Sequence, residues 1–212
     1  MTKTITLYYD ILSPFAHVAV KRLHELPGDV VVRPRPVLLG AILGHWGQKG
    51  PAEIGPKRLH TYRQATHLAS RYGVALRFPP RHPFNPLAAL RLLAGADADL
   101  ATVERAFDFV FGEGRSVDAP QDVQAFAQAI GVDAALAGDD DAKAKLRSST
   151  DEAISLGVFG VPTFATDGSS GPELFWGVDS FDMLKDWLAD ETLFRRDPYA
   201  GLEAIEVGVV RK

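Results

Sequence analysis

The sequence contains no cysteine among its 212 residues. This absence excludes disulfide bonds, thiolate metal sites and a cysteine nucleophile. The chain also lacks any apolar run near the roughly 18 residues that a membrane-spanning helix needs. Lys3 is followed by few apolar residues and by no small-residue cleavage site, so no secretory signal is indicated. We therefore expect a cytoplasmic protein that does not bind a membrane.

An excess of positive charge is missing as well. The net charge is −4, the isoelectric point is about 5.9, and basic and acidic residues are interspersed. A nucleic-acid-binding domain normally presents a basic face, so we expect no nucleic-acid partner. The hydrophobic fraction of 46% is sufficient for a packed core. The length fits one large domain, or one domain that carries an insertion.

The residue pattern predicts strands near both ends of the chain and helices between them. Predicted strands cover residues 4–9 and 29–36 and the runs "GVPTFATD" and "PELFWG", with "GSSG" as a hairpin turn. Predicted helices cover residues 14–25, 54–72, 86–94, 101–111, 121–130, a stretch from the acidic run 139–141 to residue 156, and 180–189. The βαβ spacing at the start of the chain indicates two parallel strands with a right-handed crossover.

The element order βαβ, helical block, ββα is that of the thioredoxin fold, an α/β fold. We expect residues 1–37 and 157–212 to form a discontinuous thioredoxin-like domain, with residues 38–156 as an all-helical insertion. In that fold the reactive group lies at the N-terminus of the first helix, which here is Ser13. The opposite wall is a cis-proline before the third strand, and Pro162 in "GVFGVPTF" is the candidate.

Six motifs in order along residues 5–188 resemble the 2-hydroxychromene-2-carboxylate isomerases, close relatives of the kappa-class glutathione transferases. The motifs are "YYDILSPFA", "VLLGAIL", "GPKRLHTYR", "HPFNPLAALR", "GVFGVPTF" and "FWGVDSFDML". The wider superfamily includes disulfide oxidoreductases, which need a Cys-x-x-Cys at the helix start. Since this chain has "SPFA" there, it cannot itself exchange thiols and disulfides.

The resemblance implies that glutathione is the cofactor and that its thiolate lies over the first helix. Ser13 then stabilises the thiolate as a hydrogen-bond donor, although a serine before a proline is also a common helix cap. Val161 and Pro162 would pair with the cysteinyl part of glutathione like an added strand. Asp179 matches the acidic residue that holds the γ-glutamyl ammonium, or it caps the following helix. Ser180 replaces a basic residue frequent in the family.

Five further residues are predicted to line the site. Lys57 matches a family lysine that reaches a carboxylate of glutathione or of the substrate. Gln48 stands where relatives often carry a ligand-contacting asparagine, and Trp46 is its neighbour. Tyr62 is predicted to line the cleft with them, unless it belongs to the core. Asn85 is predicted to bind the aromatic substrate, and the alternative is that it caps the next helix.

No metal site is predicted. The pairs His17/His24 and His60/His67 are separated by seven residues, too far along a helix for easy shared ligation, and no thiolate is available.

The resemblance implies a homodimeric, glutathione-dependent isomerase of an aromatic carboxylate, acting by thiolate addition, bond rotation and elimination. Two alternatives stay open: a kappa-like transferase that conjugates electrophiles, and a non-catalytic module that binds glutathione or peptides.

Overall fold

The computed structural model describes residues 2–168 and 171–209. Four strands form one mixed sheet in the order β2-β1-β3-β4. Strands β1 and β2 are parallel, as predicted, whereas β3 runs antiparallel to β1 and to β4. Their bounds are β1 Lys3–Tyr9, β2 Val30–Pro36, β3 Thr163–Gly168 and β4 Gly171–Trp176.

The sheet register brings the candidate site to one edge. Tyr8 at the end of β1 pairs with Thr163, the first residue of β3, and Thr163 pairs in turn with Trp176, the last residue of β4. The turn that follows β1 and the loop that precedes β3 therefore emerge side by side. Ser13 lies in the first of these segments and Pro162 in the second.

Eight α-helices accompany the sheet within the described ranges. Six of them follow β2 and precede β3, where the helical block was predicted. The helices are α1 Pro14–Lys21, α2 Leu39–His45, α3 Gly55–Arg71, α4 Leu87–Gly95, α5 Leu100–Phe107, α6 Pro120–Ile130, α7 Asp140–Ser155 and α8 Phe181–Ala189.

Two predicted helices differ from the structure, and one observed helix was not predicted. The first helix was predicted to reach residue 25, but α1 ends at Lys21 and a 3₁₀ turn covers Leu23–Glu25. The predicted helix 101–111 is divided into α5 and a π-helical segment, Asp108–Gly112. Helix α2 was not predicted. The serines of the predicted "GSSG" turn lie outside the described residues, and the strands on either side of them pair as a hairpin requires.

Two groups of buried side chains cover the two faces of the sheet. Ile5, Leu7 and Tyr9 point to one face, into a large cluster shared with α1, α8 and helices of the middle segment. Tyr8 points to the other face, into a smaller cluster with six further residues: Val37, Ile42, Ala153, Val158, Val161 and Ala165. This alternation is the normal period of a strand. The smaller cluster anchors the loop before β3.

The predicted division into domains stays a prediction.

No helix in the described part of the chain is both long and apolar enough to cross a membrane.

Candidate functional site

Asp10 fixes the turn between β1 and α1. Its backbone oxygen accepts a hydrogen bond from the Ser13 N–H at 2.9 Å. Its carboxyl oxygens accept from the Leu12 N–H at 2.8 Å and from the Leu39 N–H at 2.9 Å. The side chain has no exposed surface. Burial raises the pKa of this carboxyl to about 7, against the two backbone N–H donors, which lower it.

Ser13 caps α1 and faces the loop before β3. Its Oγ accepts from the Ala16 N–H at 3.2 Å and donates to the Val161 carbonyl oxygen at 3.4 Å. The second distance exceeds the roughly 2.5–3.0 Å of a normal O–H···O bond. The hydroxyl proton is therefore weakly held and available to a stronger acceptor. The Phe15 N–H, in the first turn, has no acceptor among the described residues.

The loop before β3 presents an unpaired backbone donor. The Val161–Pro162 peptide bond is cis and faces Ser13, so this prediction is confirmed. The Val161 N–H finds no acceptor in the ranges that the structure describes. Gly177 donates to the Pro162 carbonyl oxygen at 2.8 Å, and the Thr163 hydroxyl donates to the Gly160 carbonyl oxygen at 2.7 Å. These two hydrogen bonds hold the loop in place, and the Val161 N–H remains free to pair with an added strand.

Asp179 offers a free carboxylate beside this loop. It is exposed, and within residues 2–168 and 171–209 it makes no hydrogen bond or ion pair. Helix α8 begins after Ser180 without a side-chain cap, and the Ser180 hydroxyl donates to the Trp176 carbonyl oxygen at 2.6 Å. Gly177 has φ +87°, and a Cβ there would lie 2.4 Å from Asp179 Oδ1. The turn therefore requires glycine, and the alternative capping role of Asp179 is not realised.

The predicted residues of the middle segment differ in their availability. Lys57 lies exposed in the first turn of α3, and its ammonium group has no partner in the described part of the chain. The Tyr62 hydroxyl already donates to the His82 carbonyl oxygen at 2.6 Å. Asn85 Oδ1 accepts from the Leu87 N–H at 3.1 Å, so its amide oxygen serves the start of α4. The Asn85 amide nitrogen remains available to a ligand.

Trp46 and Gln48 directly follow α2. The Trp46 side chain is 45% exposed, and its indole N–H donates to the Val158 carbonyl oxygen at 2.9 Å. Gln48 is exposed, and its backbone N–H donates to the Leu43 carbonyl oxygen. Contacts therefore connect Trp46 with the loop before β3. Among the described residues no hydrogen bond connects Gln48 or Lys57 with Ser13.

Two further aromatic residues, one in the loop before β3 and one at the end of β4, are also exposed. The rings of Phe159 and Trp176 lie 5.0 Å apart and are 38% and 48% exposed. The indole of Trp176 covers Gly160, where a Cβ would lie 2.6 Å from the indole nitrogen. Phe159 lies in "GVFGVPTF" and Trp176 in "FWGVDSFDML", but no periodic pattern marks either as a surface residue.

In the described ranges no group of three His, Asp or Glu side chains is placed to hold a metal ion.

Known proteins match this chain over most of its length. A family model described as a DSBA-like thioredoxin domain matches residues 4–189. A 2-hydroxychromene-2-carboxylate isomerase from Sphingobium xenophagum is 29% identical over 199 residues, which cover 90% of this chain and 100% of that protein. Glutathione S-transferase kappa 1 from Homo sapiens is 22% identical over 210 residues, covering 90% and 93%.

A solved structure of a 2-hydroxychromene-2-carboxylate isomerase resembles this chain with a TM-score of 0.73 and 26% identity. The match covers 88% of this chain and 94% of that one. The predicted family resemblance and the predicted thioredoxin-like α/β fold are confirmed.

Proposed function

This chain belongs to the family of DSBA-like thioredoxin domains, and we propose that it is a glutathione-dependent isomerase of 2-hydroxychromene-2-carboxylate or a related aromatic keto acid. The observation that carries the proposal is the Ser13 hydroxyl, held at a helix N-terminus and 3.4 Å from the Val161 carbonyl oxygen. The chain has no cysteine, so the thiol must come from a small molecule. As part of the same proposal, the protein is a cytoplasmic homodimer whose partner is a small aromatic carboxylate.

Three features of the site fit glutathione. The Ser13 hydroxyl and the free Phe15 N–H provide donors for a thiolate, and the helix N-terminus adds a partial positive charge. The unpaired Val161 N–H and the adjacent carbonyl provide the pair of groups that an extended tripeptide needs. Asp179 supplies an unpaired carboxylate for an ammonium group.

Glutathione, when bound, would supply a thiolate for reversible addition to the activated double bond, so that the substrate could rotate about the resulting single bond before elimination. The protein lowers the activation barriers of this reaction by orienting the reactants and by placing charges and hydrogen-bond donors near them. Ser13 holds the thiolate at the helix start. Lys57 and the Asn85 amide nitrogen bind the carboxylate or the oxygen of the substrate, and Trp46 contacts its ring.

The deciding experiment is an assay of chromene carboxylate isomerisation with and without glutathione. We expect interconversion of the isomers only when glutathione is present, with no consumption of glutathione. A product that retains the sulfur would instead identify a kappa-like transferase. Glutathione binding without turnover of any electrophile would identify a binding module.

Replacing Lys57 with methionine should weaken the binding of ligands that carry a carboxylate. The side-chain stem is kept and the ammonium is lost, so folding should be unchanged. A hydrogen bond to a charged group contributes about 1.5–3 kcal/mol, which corresponds to roughly tenfold to a hundredfold in affinity. Calorimetry with glutathione and with a substrate analogue, measured separately, shows which of the two ligands Lys57 holds.

Lys143→Met is the matched control for this experiment, because Lys143 lies early in α7 and pairs with Asp140. It should leave both affinities unchanged. If Lys57→Met also changes neither affinity, Lys57 is a solvated surface residue.

Replacing Asn85 with aspartate should impair the aromatic substrate more than glutathione. Aspartate keeps the oxygen that accepts from Leu87, so α4 should begin as before. The amide donor is lost, and the new negative charge repels a carboxylate. Substrate affinity and thermal stability, measured on Asn85→Asp and Asn85→Ala, separate the two roles. Normal substrate binding by Asn85→Asp would leave Asn85 with a capping role alone.

A further inference from the structure

The peptide groups of Leu12, directly before Ser13, are held on both sides. The Leu12 N–H donates to Asp10 Oδ1 at 2.8 Å. The Leu12 carbonyl oxygen lies 2.8 Å from His82 Nε2. Asp10 directly follows β1, whereas His82 belongs to the segment between α3 and α4. Two distant parts of the chain therefore fix the backbone from which the Ser13 side chain projects.

His82 is itself closely surrounded. Its ring packs against four aromatic rings at centroid distances of 5.2, 5.4, 5.9 and 6.0 Å, those of Tyr62, Phe78, Phe84 and Phe111. Its Nδ1 lies 3.0 Å from the Tyr62 hydroxyl. Because a carbonyl oxygen only accepts, Nε2 must carry a proton and donate to Leu12. Burial lowers the pKa of His82 and so favours a neutral ring, whose single proton lies on Nε2. The Tyr62 hydroxyl gives its one proton to the His82 carbonyl oxygen, so its approach to the unprotonated Nδ1 is a packing contact and not a hydrogen bond.

Packing alone does not require a histidine at this position. A phenylalanine ring would fill the same space between the four aromatic rings. The contribution that only a nitrogen donor makes is the hydrogen bond to the Leu12 carbonyl oxygen. That bond restrains the residue before Ser13, whose own hydroxyl makes only a long contact with Val161. A small movement of this turn therefore changes where the Ser13 hydroxyl points.

We propose that His82 is a positioning residue for Ser13, which it orients by donating from Nε2 to the Leu12 carbonyl oxygen. Through the Tyr62 hydroxyl, His82 also connects the catalytic turn with α3, the helix that carries Lys57. A ligand that displaces α3 thereby alters the position of Ser13. This role rests on the proposed function, since it assumes that Ser13 acts on bound glutathione.

Two substitutions of His82 test the proposal. His82→Phe keeps a ring between the aromatic neighbours and removes both nitrogens. His82→Gln places an amide nitrogen at the same number of bonds from Cα as Nε2, so it can restore the donor. His24→Phe is the control, because His24 also contacts a backbone carbonyl at 2.8 Å but is exposed and bonded to Lys21.

The measurements are amide hydrogen exchange over residues 10–16, the pH titration of the thiol of bound glutathione, and steady-state kinetics. In His82→Phe we expect faster exchange in this segment, a raised thiol pKa, and a kcat lowered by about tenfold, the effect of one net hydrogen bond. The KM for glutathione should change little. His82→Gln should recover part of each effect, and His24→Phe should show none.

Unchanged exchange in His82→Phe would overturn the proposal, because the Leu12 turn would then not depend on His82. Faster exchange with wild-type kcat and titration would also overturn it, since the turn would not govern Ser13. If the wild-type protein binds no glutathione, the proposed function fails, and the exchange measurement still decides whether His82 fixes the turn.

Discussion

Ser13→Ala should fold normally and lose most of its turnover. The lost cap costs about 0.5–2 kcal/mol of stability, which a domain of this size tolerates. The lost donor to a thiolate raises the barrier by about 1.5–3 kcal/mol, so kcat should fall by roughly tenfold to a hundredfold. The titration of the bound thiol, followed by its ultraviolet absorbance, should move to higher pH.

Asp99→Ala separates capping from catalysis. Asp99 caps α5 by accepting from the Thr102 N–H at 2.8 Å, so the variant loses the same kind of hydrogen bond. It should lower stability comparably and leave turnover unchanged. Full activity of Ser13→Ala together with an unshifted titration would reduce Ser13 to a helix cap.

Asp10→Asn should change how the free energy of unfolding depends on pH. The pKa of Asp10 is raised to about 7 in the folded protein, whereas the pKa of an aspartate in an unfolded chain is about 3.9. The folded state therefore keeps the proton to a higher pH than the unfolded state does. The stability that protonated Asp10 contributes is fully present below about pH 4 and is lost as the pH rises through about 7. Asparagine does not titrate, so this part of the stability of the variant does not decrease as the pH rises.

The expected result is a difference in unfolding free energy between the two proteins that changes sign between pH 4 and pH 8. At pH 4 the asparagine is less stable by about 1–3 kcal/mol, because its NH2 group cannot accept from one of the two backbone N–H groups. Between pH 4 and pH 8 the difference should move in favour of the variant by about 4 kcal/mol, since each pKa unit corresponds to about 1.4 kcal/mol.

Denaturant unfolding at several pH values measures this difference. Asp99→Asn is the control, because the hydrogen bonds that Asp99 accepts from Thr102 hold the pKa of this exposed carboxyl below its usual range. Its stability difference should stay constant between pH 5 and pH 8. A constant difference for Asp10→Asn over the same range would mean that the two N–H donors keep the carboxylate ionised.

Elements with local signals were predictable from the sequence. The β-branched and aromatic run of β1, followed by serine and proline, indicates a strand and a capped helix without any tertiary information. Helix α2 has no such signal, because its seven residues include two glycines, Gly40 and Gly44. The carboxyl of Asp10, which follows β1, accepts a hydrogen bond from the N–H of Leu39, the first residue of α2, and Ile42 is buried. A stabilising contact from a distant segment leaves no pattern within the helix itself.

The candidate site also contains both residues that local motifs identify and contacts that only the folded structure shows. Ser13 and Val161 could be named from motifs, and the structure places them in contact. The availability of a side chain depends on its neighbours in space. The Tyr62 hydroxyl is occupied by the carbonyl of His82, twenty residues further along the chain, and nothing in either local sequence indicates this bond. The motif "HPFNPL" indicates that this region is distinctive, but it does not predict the hydrogen bond between His82 and the Leu12 carbonyl oxygen.

The register that pairs β1 with β3 has a consequence for how the protein acquires its site. Ser13 and Val161 are separated by 148 residues, and they meet only when the two ends of the sheet close around the helices. Contacts at such separation form late, because the loop-closure entropy must be overcome first. During synthesis, an emerging chain carries the serine turn long before it carries the opposite loop. A ligand that bridges the two segments binds only the closed chain, and it therefore stabilises the folded protein by mass action.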